Sequence, residues 1–275
     1  MIKRILVPTD GTDAAARGAS CAVALAVRLK AHIIGLNVVD ARLLENAGFR
    51  DIATGTGTPA FLNYPDGIAD ALEQRGRAAL AALQAECDTA GVSCETVIAT
   101  GVVPLVIVEQ AELADMVIIG RTPRHGERME EFAGSTTESV ARHAPVPVLV
   151  TGVPAFGDGL CLAAYDGTPH ARNALRTAVN VSERWQMSLR LLIVSDAPQP
   201  LLEEARGYLQ SHGLPLEYET RPGKPGEQIA AYAAECGAAL IVMGAFGHTK
   251  LREMVVGSTT AQTLHHAPCP VLLIR

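Results

Sequence analysis

One internal repeat constrains this chain more than any other feature. Gly134-Ser-Thr-Thr-Glu-Ser-Val-Ala-Arg-His-Ala-Pro-Val-Pro-Val-Leu149 matches Gly257-Ser-Thr-Thr-Ala-Gln-Thr-Leu-His-His-Ala-Pro-Cys-Pro-Val-Leu272 without a gap. Upstream, Met116-Val-Ile-Ile-Gly120 matches Leu240-Ile-Val-Met-Gly244, and Ile5-Leu-Val-Pro-Thr-Asp-Gly-Thr12 matches Cys161-Leu-Ala-Ala-Tyr-Asp-Gly-Thr168. Two copies of one unit therefore stand head to tail, and any fold proposed must be built twice. The offset between copies falls from 156 at the first match to 123 at the last, so the first copy holds about 33 extra residues in its interior. Most of them follow Val38, where Leu43 to Gly67 is rich in Gly, Thr, Pro and Asn and reads as a loop or lid. The boundary falls in Gly152-Val-Pro-Ala-Phe-Gly-Asp-Gly159, which gives units of 1–152 and 156–275.

Within each copy, short apolar runs alternate with longer amphipathic stretches such as Ala14 to Lys30. The spacing predicts strands at Ile5–Val7, Ile33–Val39, Cys94–Ala99, Met116–Ile119 and Val146–Val150. In the second copy they fall at Gly159–Ala164, Ser188–Ser195, Leu216–Arg221, Leu240–Met243 and Val271–Arg275. Strands joined by crossover helices build a mostly parallel sheet covered on both faces. With 275 residues and 48% hydrophobic composition, the chain can bury a core in each copy, and disorder is excluded.

Other classes drop out in turn. No run approaches the roughly 20 apolar residues of a membrane helix, and the N-terminus reads as a strand, not a cleavable leader, so the expected location is cytoplasmic. The six cysteines include no Cys-x-x-Cys pair, so reduced buried thiols are expected in place of a disulfide framework or zinc site. A net charge of −6, carried mostly by the first copy, and only 4% aromatic residues argue against nucleic acid as a partner.

Chemistry concentrates after the fourth strand of the second copy. Gly244-Ala-Phe-Gly247 is followed nine residues later by Gly257-Ser258-Thr259, which opens a helix. Glycines let backbone N–H groups approach phosphate oxygens, and the two hydroxyls stand where the helix dipole is positive. Taken singly these glycines say little, because glycine also ends strands and permits turns. The combination G-x2-G-x9-G-S between a strand and a helix, with Asp166 ending the first strand, is far more specific.

In these features, and over essentially its full length, the chain resembles a tandem universal stress protein. The resemblance implies two doubly wound, five-stranded parallel-sheet domains of the Rossmann-like, adenine-nucleotide α-hydrolase type, forming an internal pseudo-dimer. It implies ATP or another adenine nucleotide, with or without Mg2+, in the second copy. Asp166 would then meet the adenine and ribose end and Val194 the base, while Met243, Gly244, Gly247, Gly257, Ser258 and Thr259 hold ribose and phosphates. It also implies that the last strands pair across a two-fold, within this chain or in a homodimer, and a part in a stress response.

The first copy departs from that pattern. Its loop, Gly120 to Gly134, has Pro123 in place of the second glycine and a spacer of ten residues. Proline removes an N–H donor outright, and Glu127, Glu130 and Glu131 would repel phosphate. Ser135 and Glu138 there read as a capping box. His143 and the His265-His266 pair lack an acidic or cysteine partner at ligand spacing, so they read as cations near helix C-termini. There is no Walker loop and no nucleophile elbow. Two alternatives stay open: a non-nucleotide interaction module of the same fold, or a slow ATPase with Arg252 over the γ-phosphate.

Overall fold

The computed structural model describes residues 2–43, 64–121, 136–152, 157–245 and 258–275. The first copy runs β1 (Arg4–Pro8), α1 (Asp13–Leu29), β2 (His32–Asp40), α2 (Tyr64–Ala90), β3 (Cys94–Gly101), α3 (Val103–Ala111), β4 (Met116–Gly120), α4 (Thr136–His143) and β5 (Val148–Thr151). The second repeats it: β6 (Leu160–Ala164), α5 (Pro169–Arg184), β7 (Ser188–Val194), α6 (Gln199–Ser211), β8 (Tyr218–Arg221), α7 (Pro225–Glu235), β9 (Ala238–Gly244), α8 (Ser258–His266) and β10 (Val271–Ile274).

All ten strands join one sheet in the order β3-β2-β1-β4-β5-β10-β9-β6-β7-β8. Neighbours within each half are parallel, and the halves meet where β5 and β10 pair antiparallel, Val150 opposite Val271 and Val148 opposite Leu273. All eight residues of these two strands are buried. The last strands thus pair internally, as the resemblance implies. Each is the edge of its own half and lies at the centre of the whole sheet.

Period-two alternation sends successive side chains to opposite faces. Ile5, Val7, Cys161 and Ala163 pack in one core beneath α1, α2, α5 and α6. Leu6, Leu162, Ile241 and Met243 pack in the other, beneath α3, α4, α7 and α8. Both cores run through the β5–β10 seam, with Leu149 and Leu272 on one face and Val148, Val150, Val271 and Leu273 on the other. Burial on both faces explains why these strands read as continuous apolar runs.

Two expectations change. Tyr64 to Gly67 fall inside α2 and not in a loop, because a proline in the first turn gives up an N–H that has no helical partner anyway. Part of the first copy's extra length is accordingly helix, 27 residues in α2 against 13 in α6. The fifth strand begins at Val148, not Val146, since Pro147 has no N–H to give the ladder and contributes only its carbonyl to Val117. Residues 44–63 of the expected loop lie outside the described residues.

Candidate functional site

In each half the strand order reverses direction of growth between the first and fourth strands, so a crevice opens over their carboxyl ends. The turn leading out of the first strand is the same in both copies. The Asp10 carboxylate accepts from the Thr12 N–H at 3.0 Å, and Asp166 accepts from the Thr168 N–H at 3.0 Å. Each threonine then caps its helix, Thr12 Oγ1 accepting from Ala15 N–H and Thr168 Oγ1 from Ala171 N–H. Between them Gly11 and Gly167 sit at φ 77° and 75°, a left-handed conformation that the turn requires.

The glycine at the end of the fourth strand has a packing role that the phosphate argument alone does not supply. A Cβ on Gly120 would stand 1.8 Å from the Ala14 carbonyl oxygen, and one on Gly244 would stand 2.7 Å from the Ala171 nitrogen. Strand and first helix touch through backbone alone at this point. Val194 closes β7 and is half-buried, Met243 is buried, and Ser258 and Thr259 open α8. Gly247, Gly257 and Arg252 lie outside the described residues. So do Pro123, Glu127, Glu130, Glu131, Gly134 and Ser135 of the first copy.

The first copy has an open cavity of about 330 Å³ at the matching place. Its lining includes Asp10, Val38, Ile119, Gly120 and Thr136. Register and repeat make these the counterparts of Asp166, Val194, Met243, Gly244 and Thr259. The walls combine apolar side chains, Leu36, Leu72, Val103 and Ile107, with polar groups that include Thr9, Asn37, Asp40 and Arg75. That balance is typical of a small-molecule pocket.

Sequence reasoning gave this copy only half a site, and several of the residues around its cavity carry no motif. Buried Asn37 donates from Nδ2 to the Thr9 carbonyl at 2.8 Å. Gly76 of α2 lies so close that a Cβ there would meet Asn37 Oδ1. Asp40 is held by a two-pronged bond from Arg42, Nε to Oδ1 at 3.0 Å and Nη2 to Oδ2 at 2.9 Å. That hydrogen bond keeps the Asp40 carboxyl below its ordinary range. Arg75 brings a cation to the wall.

The second copy differs where it matters. Thr9 and Tyr165 are counterparts, each donating its N–H to the neighbouring strand at Leu36 and Leu192. Tyr165 is buried and hydrogen-bonded to Glu204, which Arg172 grips through Nε at 2.5 Å. Burial first, and then Glu204, pushes the Tyr165 phenol up to about 12. Asn37 has Ile193 as its counterpart.

Arg121 follows Gly120 and crosses to the other half, donating from Nη2 to the Ala267 carbonyl at 2.5 Å, just past α8. Burial lowers its pKa from the ordinary value. Ala245 stands at the equivalent place in the second copy, and both keep the backbone bond, Arg121 N–H to Thr151 and Ala245 N–H to Ile274. His143 lies in the last turn of α4, and His265 and His266 lie in that of α8. Glu138 pairs with Arg142 at 2.8 Å. No group of three His, Cys, Asp or Glu suited to a metal occurs among the described residues. None of their helices is long and apolar enough to cross a membrane.

The fold and the paired crevices define the class. The chain belongs to the universal stress protein family, whose model matches residues 1–152 and 197–275. It is 29% identical to a universal stress protein of Synechocystis sp. over the full length of both chains. The crystal structure of a universal stress protein from Archaeoglobus fulgidus superposes with a TM-score of 0.76 at 20% identity, covering 98% of this chain and 95% of that one. A universal stress protein crystallised in complex with cAMP is also similar, with 20% identity and a TM-score of 0.41 over 55% of this chain and 98% of that one.

Proposed function

We propose that this chain is an adenine-nucleotide-binding stress protein of two domains, 1–152 and 156–275, with ATP or a relative held by the second. Asp166, Val194, Met243, Gly244, Gly247, Gly257, Ser258 and Thr259 hold the nucleotide, Ser258 and Thr259 at the positive end of α8 where phosphate is favoured. The observation that carries the reading is the cavity of the first copy. Counterparts of five of these positions line a single cavity there, which supports a common ligand site in the repeat. The second copy adds the uninterrupted glycine loop that the first lacks.

The test is mass spectrometry of the purified protein for bound nucleotide, followed by thermal shift with ATP and Mg2+. Ligand at 100 times its Kd adds about 2.7 kcal/mol of stability. Gly247→Val abolishes the shift by crowding the phosphates. Absence of both nucleotide and shift in the unmodified chain overturns the reading.

A second reading is favoured by the cavity in the first copy: it takes a smaller ligand without a triphosphate, because its loop has lost a donor at Pro123. A thermal shift with adenosine that survives in Gly247→Val supports it, and loss of that shift in the variant refutes it.

A further inference from the structure

The end of α2 brings two thiols together. Gly91 takes a left-handed conformation at φ 67°. Its N–H donates to the Asp88 carbonyl at 3.2 Å, and the Val92 N–H donates to the Cys87 carbonyl at 2.9 Å. This pair of bonds is a Schellman cap, which fixes the last helical turn against the chain that follows. Two residues on, Cys94 opens β3 and pairs with Ile33 in the ladder. Cys87 is fully buried and Cys94 half-buried, and both pack in the same core. The two thiols are near enough to influence one another's ionisation, and Cys94 Sγ lies 3.6 Å from the Glu95 carbonyl.

The second copy makes the same turn without sulfur. Gly213 sits at φ 68°, its N–H donates to Gln210, and the Leu214 N–H donates to the Leu209 carbonyl. Leu209 and Leu216 stand where the first copy has Cys87 and Cys94, and they share the same core. The fold therefore takes apolar side chains at both positions, and two leucines serve. The first copy alone fills them with a pair that can exchange electrons.

We propose that Cys87 and Cys94 are a redox modification site, closing into a reversible disulfide when the chain meets a peroxide. Half-buried Cys94 reacts first. Its thiolate attacks one peroxide oxygen, the O–O bond breaks, and the departing hydroxide takes up a proton as water, leaving Cys94 as a sulfenic acid. Cys87 Sγ then attacks Cys94 Sγ and gives up its proton, the S–O bond breaks, and a second water leaves. Two thiols and one peroxide become one disulfide and two waters, the peroxide gaining the two electrons that the sulfurs lose. Packed against Cys94 and shielded from solvent, Cys87 resolves the sulfenic acid before a second peroxide arrives. The disulfide ties α2, which supplies Leu72, Arg75 and Gly76 to the cavity wall, to β3.

Burial, with the Cys94 thiol and the carboxylates of Glu86 and Asp88, pushes Cys87 up to about 12. Burial raises Cys94 as well, with Asp88 and Glu95 acting in the same direction against the hydrogen bonds from Cys87 and Gly35. Few thiolates exist at neutral pH, so the site is a slow one that responds to sustained oxidant.

The experiment treats the intact, reduced chain with hydrogen peroxide, blocks remaining thiols with an alkylating reagent, and maps the peptides. Both cysteines fall in one tryptic peptide, Ala78 to Arg121. Expected is a peptide lighter by two hydrogens and resistant to alkylation, restored by dithiothreitol. Cys87→Leu instead leaves Cys94 as a sulfenic acid that a dione probe traps, and Cys94→Leu leaves Cys87 alkylatable after denaturation. Because Leu209 and Leu216 already occupy the equivalent positions, both variants are expected to keep the fold, which circular dichroism checks. The proposal is overturned if both thiols stay fully alkylatable, if Cys94 goes on to sulfinic acid in the unmodified chain, or if the bond joins two chains.

Discussion

The first and second copies turn from first strand to first helix through matching bonds, yet what stands beneath that corner differs. Asp10 and Asp166, Gly11 and Gly167, Thr12 and Thr168 make the same Asx turn and N-cap. Gly120 and Gly244 let the same helix start touch the same strand end. Below the turn, Thr9 and Asn37 border an open cavity, whereas Tyr165 and Ile193 fill the equivalent positions and Arg172 and Glu204 brace the phenol. Backbone geometry is thus held in duplicate while the side chains around the crevice are free to diverge. The difference teaches that the scaffold and the ligand chemistry are separable here.

The severest way to break the equivalence is at the strand-end glycines. A Cβ meets backbone at 1.8 Å in the first copy and 2.7 Å in the second. Gly120→Ala is therefore expected to cost about 3 kcal/mol or more and Gly244→Ala nearer about 1 kcal/mol, read from urea midpoints. Equal losses would show that the two contacts are alike after all.

Alkaline pH sharpens the contrast at Thr9 and Tyr165. The folded phenol titrates at about 12 against an ordinary 10, so the unfolded chain loses its proton first. The stabilising contribution is whole below pH 10 and drains away as pH rises towards 12, by about 3 kcal/mol. Tyr165→Phe removes that share of the slope. Cys21, Cys161 and Cys269, whose thiols burial also raises, keep theirs, so the difference between the two melting profiles isolates the phenol.

Arg121 is the next test, because Ala245 shows the fold works without it. Arg121→Ala is expected to cost about 1 to 2 kcal/mol through the lost bond to Ala267, with no counterpart effect from Ala245→Ser. Smallest of all, Thr168→Ala costs about 1 kcal/mol and Thr12→Ala somewhat more, since Thr12 Oγ1 also donates to Asp10 Oδ1 at 2.7 Å. Chemical denaturation of the two variants checks this.

Duplication was legible in the sequence because it rests on matched residues, and the parallel sheet because strands buried on both faces read as apolar runs; the seam was implied by the family resemblance, and the strand order comes from the structure. Asp166 and the Gly244 motif were marked out as candidates by glycine spacing, which encodes backbone approach. The first-copy cavity was not. It depends on what is missing around it, a small Thr9 beneath the turn and a helix backbone brought against Asn37 by Gly76, and an absence leaves no motif. Arg121 was also hidden, because its partner Ala267 lies 146 residues away and offers only a carbonyl. The start of α2 was misread since Tyr64-Pro-Asp-Gly67 has the composition of a turn, and length and packing overrode it.

The β5–β10 seam has a consequence for how the molecule comes together in time. Val150 and Val271 must find each other across more than a hundred intervening residues, a circuit longer than the widest pairing within either half, that of Ile5 with Met116. Contacts so distant along the chain form late, after the entropy of the long circuit has been overcome. Until then β5 presents a buried-type apolar edge that any other copy of β10 matches equally well, so during refolding at high concentration two chains compete with one for the same handshake. Tethering the two partners in one polypeptide sets that competition in favour of self-closure, and dilution tips it further.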